Sequence, residues 1–100
     1  MKTKFLLGAV YFTEGIKKEI QANPDFSGFI IQSLQKHQSG DWGILGESDR
    51  KYNDLCLANH SDRIFSSYPI QSSSSKTKDI IWIITDLLQN NTIILFPYEN

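Results

Sequence analysis

Seven residues in the middle of the chain carry side chains able to do chemistry: His37, Asp41, Glu47, Asp49, Asp54, Cys56 and His60. Their types would serve nucleophilic catalysis, metal binding or general acid–base work, and spacing weighs each option. Neither histidine sits beside a nucleophile signature of the G-x-S-x-G kind. Cys56 and His60 are four residues apart, which puts thiol and imidazole on one helix face. A core cysteine with a surface histidine at the helix end gives the same spacing. A metal site from Cys56, His60, His37 and Asp41 would draw ligands from three segments, without a C-x-x-C or H-x-x-x-H pair. No catalytic residue, metal or cofactor is expected.

The carboxylates are read the same way. Of Asp41, Glu47, Asp49 and Asp54, only Asp41 has a fixed setting, between Gly40 and Trp42. An aspartate there caps a turn by accepting backbone N–H groups, while Trp42 packs over a sheet. Glycines 40, 43 and 46 recur every three residues but lack the lysine and hydroxyl of a phosphate-binding loop. Direct nucleic-acid binding would pair exposed aromatics with basic neighbours. Tyr68, Trp82 and Phe96 have only Arg63, Lys76 and Lys78 near them, so cross-strand core packing is the expectation.

These residues need elements to hold them. One hundred residues with 40% apolar content and twelve aromatics suit a single domain spanning 1–100 with one core. The net charge of −1 gives no global field for nucleic acid. Charge is uneven, however: residues 41–62 hold five carboxylates against Arg50 and Lys51. That acidic stretch reads first as a solvated helix face; if it binds, a basic partner is the natural match. The lone Cys56 excludes an internal disulfide and fits a reducing compartment. The apolar run Phe5–Phe12 is too short for a signal peptide core followed at once by Glu14, and no run reaches membrane-spanning length. A cytoplasmic protein is expected.

Phe5–Thr13 reads as a strand covered on both faces. Ile16–Gln21 reads as a brief helical turn. Asn23-Pro24-Asp25 starts a helix, with Phe26, Phe29, Ile30 and Leu34 on one face, and Ser39-Gly40 ends it. Ser48 is the expected N-cap of a second helix to Asn59, with Tyr52, Leu55 and Cys56 inward. Strands follow at Arg63–Ile70, Asp79–Asp86 and Asn91–Pro97. The serine-rich Gln71–Thr77 forms a long hairpin tip, and Leu87–Asn90 a short one. The expected fold is α+β: a two-layer sandwich of an antiparallel four-stranded sheet with two helices on one face, in the order β-α-α-β-β-β.

The combination Gly40-Asp41-Trp42-Gly43, Asn53, Arg63-Ile64-Phe65-Ser66-Ser67-Tyr68, Trp82-Ile83-Ile84-Thr85 and Thr92-Ile93-Ile94-Leu95-Phe96-Pro97 resembles a family of short plasmid- and phage-borne bacterial proteins. That family shares a G-D-W-G…N…R-I-L-S-x-Y…I-W-I-I-T…T-T-I-L-F-P pattern, matched over residues 40–99, and carries no assigned reaction. Phe12–Ile16 resembles its T-x-G-I/V lead into the first helix. The chain departs from it in the serine run before Trp82 and in Asp86-Leu87-Leu88-Gln89 after Thr85.

The resemblance implies a mobile-element protein. The expected function is non-enzymatic interaction, with antagonism of a host defence nuclease complex of the CRISPR type as the specific form. Carboxylates Asp41, Glu47, Asp49 and Asp54 would cover a basic nucleic-acid-reading surface, with Trp42 as aromatic anchor. Two alternatives stand beside it. One is an enzyme or ligand site around Asp41, Trp42 and Asn53. The other is a homodimer formed through the last strand, if that strand lies at a sheet edge.

Overall fold

The computed structural model describes residues 3–70 and 80–100. Its elements are β1 (Ala9–Phe12), α1 (Glu14–Ala22), α2 (Asp25–Ser39), α3 (Glu47–Asn59), β2 (Arg63–Pro69), β3 (Ile80–Asp86) and β4 (Asn91–Leu95), closed by a 3-10 turn at Pro97–Glu99. The fold is α+β as expected, with three helices rather than two. Ile16–Gln21 belongs to a full helix, α1, whose N-terminus is held from far away: the Glu99 carboxylate accepts from the Gly15 N–H at 2.8 Å and the Thr13 hydroxyl at 2.6 Å. That remote cap has no signature in the local sequence.

The sheet is mixed, not antiparallel, in the order β1-β4-β3-β2. β2–β3 and β3–β4 are antiparallel, whereas β1 runs parallel to β4 with Ala9 opposite Asn91. The last strand is therefore internal, and β1 and β2 are the edges. β1 is also shorter than expected, and all four of its residues are exposed. Phe5 leaves the strand and buries itself in a separate cluster with Trp42, Cys56, Ile64 and Leu87. The hairpin tip proposed for Gln71–Thr77, with Lys76, Lys78 and Asp79, lies outside the described residues.

Alternation along the strands separates two faces. Ile64, Ser66, Tyr68, Ile81, Ile83, Thr85, Thr92 and Ile94 are buried. The larger core joins several of these to Ile16 of α1 and to Phe26 and Ile30 of α2. Burying each such side chain contributes roughly 1.5–3 kcal/mol. The opposite face carries no helix in these clusters. Across it runs one register-matched row, Phe65–Ile84–Ile93–Tyr11, with Trp82 stacked edge-on against Phe65 at 5.1 Å. α3 starts one residue before Ser48, with Gly46 at its N-cap position. It buries Asn53 and Cys56, while Tyr52 and Leu55, expected inward, are 49% and 56% exposed.

Candidate functional site

The Gly40–Gly43 loop is a fastening. Gly40, at φ 88°, ends α2 in the left-handed conformation open to glycine, and the Asp41 N–H reaches back to the Lys36 carbonyl at 2.9 Å. Asp41 Oδ1 accepts from the Gly43 N–H at 3.2 Å, an aspartate turn. Trp42, only 3% exposed, lies against Phe5 and His37. Gly43, at φ 77°, passes so close to β2 that a Cβ would stand 1.9 Å from the Ser67 carbonyl oxygen. There the Ser67 N–H donates to the Trp42 carbonyl at 3.2 Å and the Ile44 N–H to the Ser67 carbonyl at 2.9 Å. Arg50 donates to the carbonyls of Gly43 and Leu45. Tyr68 donates to the Asp41 carbonyl at 2.6 Å, and burial pushes its hydroxyl well above the ordinary phenol pKa.

Asn53 completes the job. Its side-chain amide pairs with the N–H and C=O of Phe65, two residues before Ser67 on the same strand edge. The next outward position is Pro69, which has no N–H to leave unpaired. The outer edge of β2 is thus closed at three successive sites.

A third set of residues forms a directed chain in the core. Thr92 donates to the Leu7 carbonyl at 2.7 Å, so the Thr85 hydroxyl at 2.7 Å must donate to Thr92. Thr85 then accepts from His37 Nε2–H at 2.9 Å, leaving His37 Nδ1 to accept from the Ser66 hydroxyl at 2.5 Å. Every proton has one place to go, and the imidazole is the neutral Nε2–H tautomer. Burial lowers the His37 pKa to about 3. The Ser66–His37 contact has the orientation of a hydrolase pair, but both residues are 0% exposed and no substrate reaches them.

The expected site residues therefore separate. Trp42 is covered and offers no face to a partner. Asp41 is exposed in the loop, with one oxygen engaged by Gly43. Glu47 and Asp54 project from α3 on the side away from Asn53 and Cys56, at 100° per residue; Glu47 pairs with Lys51 at 3.4 Å. Asp49 lines the hollow described below. Asn53 borders the same hollow, and Asp41 and Trp42 are not part of its lining. Among the described residues no three His, Cys, Asp or Glu side chains gather to hold a metal ion, and no helix is long and apolar enough to cross a membrane.

The hollow, of about 400 Å³, lies where α3 overhangs the second sheet face, on which Phe65, Trp82, Ile84 and Ile93 are half-buried and Leu95 is buried. Asp49, Tyr52, Asn53, Asp62, Arg63, Phe65, Trp82, Ile84 and Asn100 line it. Three aromatic rings form its walls. Tyr52 donates a short hydrogen bond to Asp62, and that bond pushes its pKa up to about 12. Beyond Arg63 a second depression of about 290 Å³ continues past Ile84 and Ile93 and includes Asp86 and Glu99. The two share Arg63, Ile84 and Asn100, and the Arg63 guanidinium stands 4.0 Å from the Asp62 carboxylate. Of the motif residues, Gly40 to Gly43, Asn53, Ser66, Tyr68, Thr85 and Thr92 all have the structural roles above. Arg63 and Trp82 do not, and both are in this hollow. Sequence reading missed it because Tyr52 looked like a core residue, and because the alternation that places Phe65, Trp82 and Ile84 together does not tell which sheet face is covered.

A scan against protein-family models found no match to this chain, and comparisons with curated proteins and with solved structures found none either, so the site is read from its geometry.

Proposed function

We propose that this chain is a non-enzymatic binding module that takes a protein partner with basic and apolar side chains at the hollow beneath α3, where the second sheet face is only half-buried. The observation that carries this reading is the row Phe65–Ile84–Ile93–Tyr11, with Trp82, bordered by Asp49, Asp62, Asp86 and Glu99. Aromatic walls with carboxylates at the rim suit a lysine or arginine side chain, held over a ring face and paired at its charged end. Rim charge of this sign also steers a basic partner toward the face.

Antagonism of a nucleic-acid-guided defence nuclease is the narrower form of this proposal, and the family resemblance is what supports it. The carboxylates that would act are then Asp49 and Asp62, rather than the dispersed set Asp41, Glu47 and Asp54.

The test uses the labelled chain and a lysine- and leucine-rich peptide as a defined probe, followed by nuclear magnetic resonance. Shifts at the Trp82 indole, Tyr52 and Arg63, lost in an Asp49→Lys, Asp62→Lys variant, are expected. Shifts confined to Asp41, Glu47 and Asp54 would move the site to the outer side of α3 and reject the hollow. Inhibition of a purified guided nuclease by wild type but not by that variant would establish the narrower form.

A further inference from the structure

The two edges of the sheet are treated differently. β2 is closed by Asn53, by the Gly43 crossing and by Pro69. β1 has none of these devices, no charged side chain and no proline, and its sequence is Ala-Val-Tyr-Phe. Exposed apolar edges of this kind are templates for pairing. In the parallel pair with β4, the N–H groups of Ala9 and Thr13 point inward, to the carbonyls of Asn90 and Ile94. By the period of two, Val10 and Phe12 direct their N–H and C=O groups outward. Among the described residues nothing bonds to those four groups.

We infer that β1 pairs antiparallel with β1 of a second copy of this chain, about a two-fold axis at Tyr11. The backbone sets the register, and the register is self-complementary. Hydrogen-bonded antiparallel pairs must join outward-directed residues. With Tyr11 opposite Tyr11 of the second copy, Val10 faces Phe12 and Phe12 faces Val10, and all four outward groups of each copy are used. A register centred on Val10 would bring Gly8 opposite Phe12, but Gly8 at φ 67° has left the strand. A register centred on Phe12 runs into α1 at Glu14.

Side chains agree with that register. Val10 and Phe12, 37% and 36% exposed, meet each other on the helix-covered face. Tyr11, 56% exposed, meets its own copy on the open face at a non-hydrogen-bonded position, where side chains approach most closely. The row Phe65–Ile84–Ile93–Tyr11 then continues through the axis into the second copy. Self-complementarity of this kind is what an isologous interface requires. A four-residue strand covers less than the roughly 1,200 Å² of a tight complex, so the dimer is expected to be micromolar or weaker.

Sedimentation equilibrium from micromolar to millimolar concentration, together with cysteine cross-linking, tests this. The mass should rise from 11.4 kDa toward twice that value. Val10→Pro, which removes an outward N–H and keeps the bonds to β4, should hold it at the monomer mass with an unchanged circular dichroism spectrum. Tyr11→Cys should form an intermolecular disulfide under mild oxidation, because its position faces itself across the axis, whereas Val10→Cys should cross-link far more slowly. A mass that stays at one chain to millimolar concentration overturns the inference and leaves the edge to a strand of another protein. A dimer that survives Val10→Pro and does not cross-link at Tyr11→Cys overturns it in favour of another surface.

Discussion

The side-chain amide of Asn53 is a substitute strand for Phe65, donating from Nδ2 to its carbonyl at 2.6 Å and accepting at Oδ1 from its N–H at 3.1 Å. One residue on α3 thereby does for β2 what a neighbouring strand would do. Asn53→Leu keeps much of the volume and removes both bonds, leaving two backbone groups unsatisfied. Urea denaturation should show a loss of about 2–3 kcal/mol, and light scattering should show new self-association through the opened edge.

His37 makes stability depend on pH in a defined direction. Its folded pKa, about 3, is below the ordinary 6.5. Below pH 6.5 the unfolded chain binds a proton that the folded chain refuses, so this stability is present above pH 6.5 and is lost progressively toward pH 3. The slope is about 1.4 kcal/mol per pH unit, or roughly 2 kcal/mol between pH 7 and pH 5. Denaturation curves at the two pH values check it, and His37→Gln should flatten the difference while lowering stability at pH 7.

Gly43→Ala tests the fastening of the loop. The added methyl would meet the Ser67 carbonyl in a left-handed backbone conformation, and the loss should be about 2–4 kcal/mol. Trp42→Ala, removing a buried indole, should cost about 3–5 kcal/mol. Thermal melts rank both against Gly46→Ala, where a Cβ meets nothing within 4 Å and the change should be small.

Tyr52 reports on the hollow. Its pKa, raised to about 12 chiefly by the hydrogen bond to Asp62, should fall toward the ordinary phenol value in Asp62→Asn. Ultraviolet titration of tyrosinate reads this directly, with Tyr52→Phe identifying which transition belongs to it. A basic peptide seated in the hollow should move the same transition in wild type.

Much of this was legible in local signals. Asn23-Pro24-Asp25 and Gly40 bracket α2 because their backbone preferences act without help from the rest of the fold. β2, β3 and β4 follow from β-branched and aromatic runs broken by turn residues. What was not legible depends on distant partners. Phe5–Phe12 has the hydrophobicity of a buried strand, yet Phe5 packs beside Trp42 while Val10, Tyr11 and Phe12 lie at an edge. α1 gains its cap from Glu99, far away in the chain. The acidic residues form one group in sequence and three in space, because helical rotation sends Asp49 one way and Glu47 and Asp54 another.

The parallel pairing of β1 with β4 joins the first strand of the sheet to the last. β1 is made early, and the strand it needs lies about eighty residues downstream. The β3–β4 hairpin is local and can form first, whereas closing so long a loop is slow. During synthesis at about 5–20 residues per second, the Ala-Val-Tyr-Phe segment therefore spends several seconds without its partner. The strand that lies at the open edge of the finished sheet is thus also the one that waits longest for its partner.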